Sequence, residues 1–171
     1  MQKAIRAIVG SIDALNRATG WVLAALLLVM TVLITWQVIA RFVIGSPLTF
    51  SEEVSRFAMI WMTMLGAAYA YRYGTLISVD VFTDIAGPRM TRVLRIGIAL
   101  LSLAFAYVLL TQGFSITMRV AGQTAPSTRV SMAWLYAAVP AGATLIALNA
   151  VAVALEALRD LMVARPVMKE A

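Results

Sequence analysis

Hydrophobic residues run along this chain in long blocks separated by short polar stretches. The first seventeen residues are patterned differently. Ile5, Ile8, Val9, Ile12 and Leu15 recur on one helical stripe, with Lys3, Arg6, Asp13 and Arg17 on the other side. Such a pattern predicts an amphipathic helix over residues 1–18, lying on the cytoplasmic membrane surface. A cleaved signal peptide fits it less well, because the apolar stretch that follows is long and lacks a small-x-small site. Residues 21–40 then carry no charge. About 20 helical residues cover the ~30 Å hydrocarbon core of a bilayer. A first span over about 20–41 is expected, bracketed by Trp21 and Arg41 as interfacial anchors.

A turn at Gly45, Ser46 and Pro47 separates this span from a second one, expected over about 50–72 and starting near Thr49 or Ser51. Its uncharged run, residues 57–71, is too short to cross alone. Residues 51–56 complete it and place Glu52, Glu53 and Arg56 near the outer interface. Residues 72–95 form a polar connection holding Arg72, Asp80, Asp84, Arg89, Arg92 and Arg95. Residues 79–85 are expected as a short amphipathic surface helix. Gly87 and Pro88 suggest a break, with Pro88 opening a third span over about 90–119. An outer loop follows, and a fourth span over about 130–157 contains Pro140, which should kink it or perturb its hydrogen-bond ladder.

The fold class is therefore an all-α integral membrane four-helix bundle in one domain, 1–171, with an N-terminal interfacial helix and a short amphipathic cytoplasmic connection. Composition agrees. The chain is 62% hydrophobic and 13% charged, against roughly 45–50% and 25% in soluble domains. The net charge of +6 comes from basic residues at the ends of apolar segments. They read as membrane anchors and topology signals rather than as a nucleic-acid surface. Ten basic residues fall in the N-terminal stretch, the middle connection and the C-terminal tail. Four fall in the other two loops: Arg41, Arg56, Arg119 and Arg129. The positive-inside rule puts the ten, and both termini, in the cytoplasm.

With neither Cys nor His in the chain, disulfides, thiol redox chemistry, bis-His haem and a His general base are excluded. No nucleophile–base pair or metal cluster stands out, so neither an enzyme nor a cofactor is expected. Glu52 and Glu53 have two readings: a proton- or cation-coupling site, or an interfacial helix start with Glu52 paired to Arg56 at i,i+4. The second explains them more simply. Gln37, Gln112 and Asn149 are the notable polar residues in or near the spans. Each can bind a ligand or hydrogen-bond a neighbouring helix, the commoner use in membrane bundles. Gly66-x-x-x-Ala70 gives the second helix a small-residue face for close packing, against a helix of this chain or of another.

Three segments together resemble the small membrane subunit of tripartite ATP-independent periplasmic (TRAP) transporters, the DctQ-like family, over nearly the whole chain. The first is Phe50-Ser51-Glu52-Glu53-Val54-Ser55-Arg56, like the family's Trp-Ser/Thr-Glu-Glu-x-x-Arg, with Phe50 where Trp is usual. The second runs from Gly66 through Arg72 to Ile77-Ser78-Val79-Asp80, with Leu76 where a His is common. The third is Gly122-Gln123-Thr124-Ala125-Pro126, then Val130-Ser131-Met132, Tyr136 and Pro140-Ala141-Gly142, with Ser131 where Pro is frequent.

The resemblance implies a scaffold for a large membrane subunit that carries an organic acid with sodium, and a share in docking a periplasmic substrate-binding protein. It also implies partner or assembly roles at Glu52, Glu53, Arg56, Gly66, Arg72, Asp80, Gln123, Pro126, Tyr136 and Pro140. Arg72 and Asp80 would fix the cytoplasmic connection. The location implied is a bacterial or archaeal inner membrane. The rival reading is a small self-assembling secondary transporter, which would need an essential membrane carboxylate.

Overall fold

A computed structural model describes residues 2–45, 49–73 and 77–163, and within them all side chains except those of residues 2, 4, 44, 77–89, 91–92 and 160–163. The described residues form four long helices, α1 (Gln2–Ile39), α2 (Thr49–Tyr73), α3 (Ile77–Arg119) and α5 (Ala138–Val163), with a single helical turn, α4 (Ala133–Tyr136), ahead of the last. The fold is an all-α membrane helical bundle. Among the described residues three stretches are long and apolar enough to cross a bilayer: Ile5–Val43, Val93–Arg119 and Ala133–Arg159. Several threonine hydroxyls in these helices bond back to the backbone. Those of Thr31, Thr111, Thr117 and Thr144 each donate to the carbonyl four residues earlier. That satisfies them without water.

The central helix is α5. It packs against α3 on one side and α2 on the other, and α1 lies on α2 and the lower part of α5. Alanine makes this possible: Ala138, Ala143, Ala150, Ala152 and Ala157 of α5 are all buried. Small side chains let helix backbones approach where no hydrophobic effect drives them together. The closest approaches are at two glycines. A Cβ on Gly142 would lie 2.9 Å from the Met64 carbonyl oxygen of α2, and one on Gly113 of α3 would lie 3.2 Å from the Pro140 nitrogen.

Three expected features take a different form. No break separates an interfacial helix over 1–18 from the first span: α1 is continuous, and Ile5, Ile12, Asn16 and Thr19 are buried in the bundle while Ile8 and Leu15 are exposed. The expected stripe mixes two faces because Asp13 and Asn16 have partners on other helices. Gly87 and Pro88 do not open a new helix either; α3 runs through them. A proline removes one N–H from the ladder, and the turns on either side carry the helix on. The small-residue face of α2 is not built on Ala70, which is exposed. The fully buried small residue is Ala68.

Pro140 acts as expected on the ladder. It has no N–H to give the Tyr136 carbonyl four residues back, and the helix is interrupted between α4 and α5 at Ala137. At its other end α1 passes through a π-helical turn, Ala40–Ile44, and stops at Gly45. Gly45 has φ +74°, a left-handed conformation open to glycine, and its N–H closes on the Ala40 carbonyl.

Candidate functional site

Polar side chains gather at two levels of the bundle. The lower level joins three helices twice. In the first layer, Asn16 of α1 and Asn149 of α5 exchange amide hydrogen bonds, each donating to the other's carbonyl oxygen. Their remaining N–H groups go to backbone: Asn16 Nδ2 to the Ile12 carbonyl at 2.8 Å and Asn149 Nδ2 to the Ala68 carbonyl of α2 at 2.7 Å. Both residues are fully buried. All their hydrogen-bonding capacity on the amide nitrogen is used, which is what an apolar surrounding demands.

One turn away, Arg72 of α2 repeats the connection with charge. Its Nε donates to Asp13 of α1 at 2.8 Å, and Nη1 and Nη2 donate to the two oxygens of Glu156 of α5 at 3.0 and 2.8 Å. This is a bidentate fork, a geometry that a guanidinium makes and an ammonium does not. The Arg72 side chain is 10% exposed. Helical spacing puts the two layers on the same faces: Asp13 and Asn16 lie three residues apart, Ala68 and Arg72 four, Asn149 and Glu156 seven.

Asn149→Leu is expected to lower stability in detergent by about 1–2 kcal/mol, because it strands the Asn16 amide and the Ala68 carbonyl. Thermal unfolding of the purified chain measures this, and Gln112→Leu serves as control.

The upper level is the outer loop, held on α2. Glu53 accepts the backbone N–H groups of Ser127 at 3.2 Å and Thr128 at 2.7 Å. The loop is closed on itself by Ala125 N–H to Val130 O at 2.8 Å and Met132 N–H to Gln123 O at 2.9 Å. Arg129 takes a positive φ of 54° in the turn. Ser131 Oγ ties the turn after α3 to the start of α4, donating to the Ala121 carbonyl and accepting the Ala133 N–H. Trp61 of α2 donates its indole N–H to the Trp134 carbonyl at 2.9 Å. Glu53→Gln is expected to speed hydrogen exchange at the Ser127 and Thr128 amides, leaving the helices protected, as peptide-resolved exchange would show.

Glu52 and Arg56 form no ion pair with each other among the described residues. Both are exposed and, with Thr49, Glu53, Pro126 and Ser127, line an open groove of about 230 Å³ beside the loop. The expected pairing gives way to Glu53 binding the loop amides. A Cβ on Gly66 would lie an unremarkable 3.9 Å from the Leu23 side chain of α1. The Gln123 and Pro126 side chains are exposed, Tyr136 is half-buried in α4, and Pro140 packs on Gly113. The Asp80 side chain lies outside the described residues. Of the ten candidates, Glu52, Glu53, Arg56 and Pro126 come together at the outer groove, with the Gln123 backbone in the loop it borders. Arg72 belongs to the lower level, where it meets Asp13 and Glu156.

Asn149 bonds a neighbouring helix, while Gln37 and Gln112 make no such bond among the described residues. Sequence reasoning had not identified Asp13, Asn16 and Glu156 as partners of this junction. The signal was their same-face spacing: Asp13 lies three residues from Asn16 on α1, and Glu156 seven from Asn149 on α5.

The fold and these internal ties define a helical membrane protein whose own polar side chains lock its helices together. The chain belongs to the family of tripartite ATP-independent periplasmic transporters, DctQ component, which it matches over residues 30–160. It is 28% identical over 142 residues to the sialic acid TRAP transporter small permease protein SiaQ of Vibrio cholerae, covering 82% of this chain and 78% of that protein. It is 36% identical over 78 residues to the ectoine TRAP transporter small permease protein TeaB of Halomonas elongata (45% and 40%). Identity is 29% over 105 residues to the C4-dicarboxylate TRAP transporter small permease protein DctQ of Rhodobacter capsulatus (60% and 46%).

Proposed function

We propose that this chain is the scaffold partner of a large transport subunit in a TRAP system. Its outer groove would form part of the docking surface for a periplasmic substrate-binding protein, in sodium-coupled uptake of an organic acid. The relatives' names cover sialic acid, ectoine and C4-dicarboxylate, which supports a small organic acid as the substrate class. The observation that carries the scaffold role is the double junction. Asn16, Asn149, Asp13, Arg72 and Glu156 are engaged with one another, which suits a rigid support better than a carrier whose polar groups must bind and release cargo.

The protein sits in the inner membrane of a bacterium or archaeon, crossing four times with both termini cytoplasmic. The fourth crossing is α2. Glu53 and Arg72 stand 19 residues apart on it, about 28 Å along a helix, close to the ~30 Å hydrocarbon thickness. The Arg72 level then lies at the cytoplasmic interface with Arg17, and the Glu53 level at the periplasmic interface with Arg56 and Arg129.

Proteoliposomes carrying this chain and the large subunit, given the binding protein and an inward sodium gradient, are expected to accumulate the organic acid. Omitting any one protein should abolish uptake. Uptake by this chain alone would overturn the scaffold reading in favour of a self-assembling transporter. Glu52→Gln and Arg56→Gln are expected to weaken docking, raising the binding-protein concentration needed for half-maximal uptake. An unchanged requirement in both would remove the groove from the docking surface.

A further inference from the structure

A groove of about 510 Å³ opens between α1 and α2 at the lower level, lined by Arg17, Gly20, Trp21, Ala24, Tyr69 and Tyr73. Its size falls within the roughly 300–1,000 Å³ of small-molecule sites. Its chemistry is graded along α1. Arg17, at the lower end, is exposed and has no hydrogen-bond or ion-pair partner among the described residues. The Tyr69 and Tyr73 rings form one wall, 4.8 Å between centroids. Trp21 forms the other and is 77% exposed. Above Trp21, residues 22–30 of α1 are all apolar, with Leu27 and Leu28 exposed.

Gly20 makes the wall possible, since a Cβ there would lie 3.1 Å from the Tyr69 ring. Neither nearby carboxylate pairs with Arg17 among the described residues. Asp13, one turn below it, accepts the Arg72 guanidinium, as does Glu156.

A free cation beneath an aromatic cleft, followed by an apolar track, matches a molecule with an anionic head and a hydrocarbon tail. Trp and Tyr rings favour the depth of the headgroup region. We propose that this groove binds one anionic phospholipid, its phosphate on Arg17, its glycerol region between Trp21 and the two tyrosines, and an acyl chain along Leu27 and Leu28. The tail distinguishes it from a free phosphate, for which the aromatic walls and the apolar track offer nothing. The assignment uses the membrane nature of the chain and does not depend on the scaffold role. A lipid held there would brace α1 against α2 beside the Arg72 junction.

The test is native mass spectrometry of the full chain, alone and with its large subunit, stripped of lipid in detergent and offered phosphatidylglycerol or phosphatidylcholine. One phosphatidylglycerol is expected to remain bound per chain, preferred about fivefold over phosphatidylcholine, the factor one basic residue contributes near an anionic surface. Arg17→Gln should abolish the preference, Arg17→Lys should retain most of it, and Trp21→Ala should reduce occupancy of both lipids. Millimolar inorganic phosphate should not displace the lipid. Equal retention of the two lipids by the wild type, or undiminished preference in Arg17→Gln with unchanged thermal stability, would overturn the site. So would displacement by phosphate, or loss of the lipid when the large subunit binds. Because the chain alone is measured as well, failure to recruit a large subunit is separable from failure to bind lipid.

Discussion

Gly142→Val is expected to cost more than any other single change to the bundle, with collapse of the yield of monodisperse protein. Gly142 is where α5 meets α2. A Cβ there would lie 2.9 Å from both the Met64 carbonyl oxygen and the Met64 Cβ, and 3.1 Å from the Met64 carbonyl carbon. Two of those atoms are backbone, so no rotamer change relieves the overlap and the helices must separate. Overpacking of this kind typically costs about 1–3 kcal/mol, and more where backbone must shift. The valine adds two methyl groups to that overlap. Separation at Gly142 also draws Asn149 away from the Ala68 carbonyl, so the damage spreads to the polar junction. Gly142→Ala is expected to be milder and Gly97→Ala harmless, since a Cβ on Gly97 meets nothing within 4 Å. Thermal unfolding in a mild detergent ranks the three.

Arg72→Met is expected to be the most disruptive change to a charged group. It leaves Asp13 and Glu156 facing one another's helices without the cation that holds them. Breaking a buried pair typically costs about 3–5 kcal/mol. Here the carboxylates are 37% and 34% exposed, so roughly 2–3 kcal/mol is expected after allowing for solvent screening. Arg72→Lys should recover only part of this, because one ammonium cannot reproduce the fork on Glu156 while also reaching Asp13. Adding Asp13→Asn and Glu156→Gln to Arg72→Met should restore much of the stability, since the harm lies in the unpaired charges. Unfolding midpoints of the single and triple variants decide the matter. A triple variant no better than Arg72→Met would mean that the arginine's packing, and not its charge, matters.

The helical nature of the chain was legible because long uncharged blocks have few alternatives in lipid. The end of α2 was legible too, at Tyr73 just after Arg72, whereas the start of α3 was not, since it runs from Ile77 through the polar stretch. Less visible was continuity. Nothing local at Arg17 or Thr19 says whether an amphipathic segment lies flat or joins the next span; the answer depends on Asp13 and Asn16 finding partners more than fifty residues away in sequence. The same holds for Glu53. Its position in the first turn of α2 suggested a helix-start role, but its bonds go to Ser127 and Thr128, across the chain. Arg72 was identified from its motif with Asp80 as the suggested companion, whereas the contacts that define it come from α1 and α5. Long-range pairing of polar residues between helices is the part of such a fold that one-dimensional patterning cannot fix.

The most direct measurement is affinity purification of the tagged chain from mild detergent after co-expression with its genomic neighbours. One much larger hydrophobic subunit at a fixed ratio is the expected result. A stable assembly containing this chain alone would contradict the scaffold account.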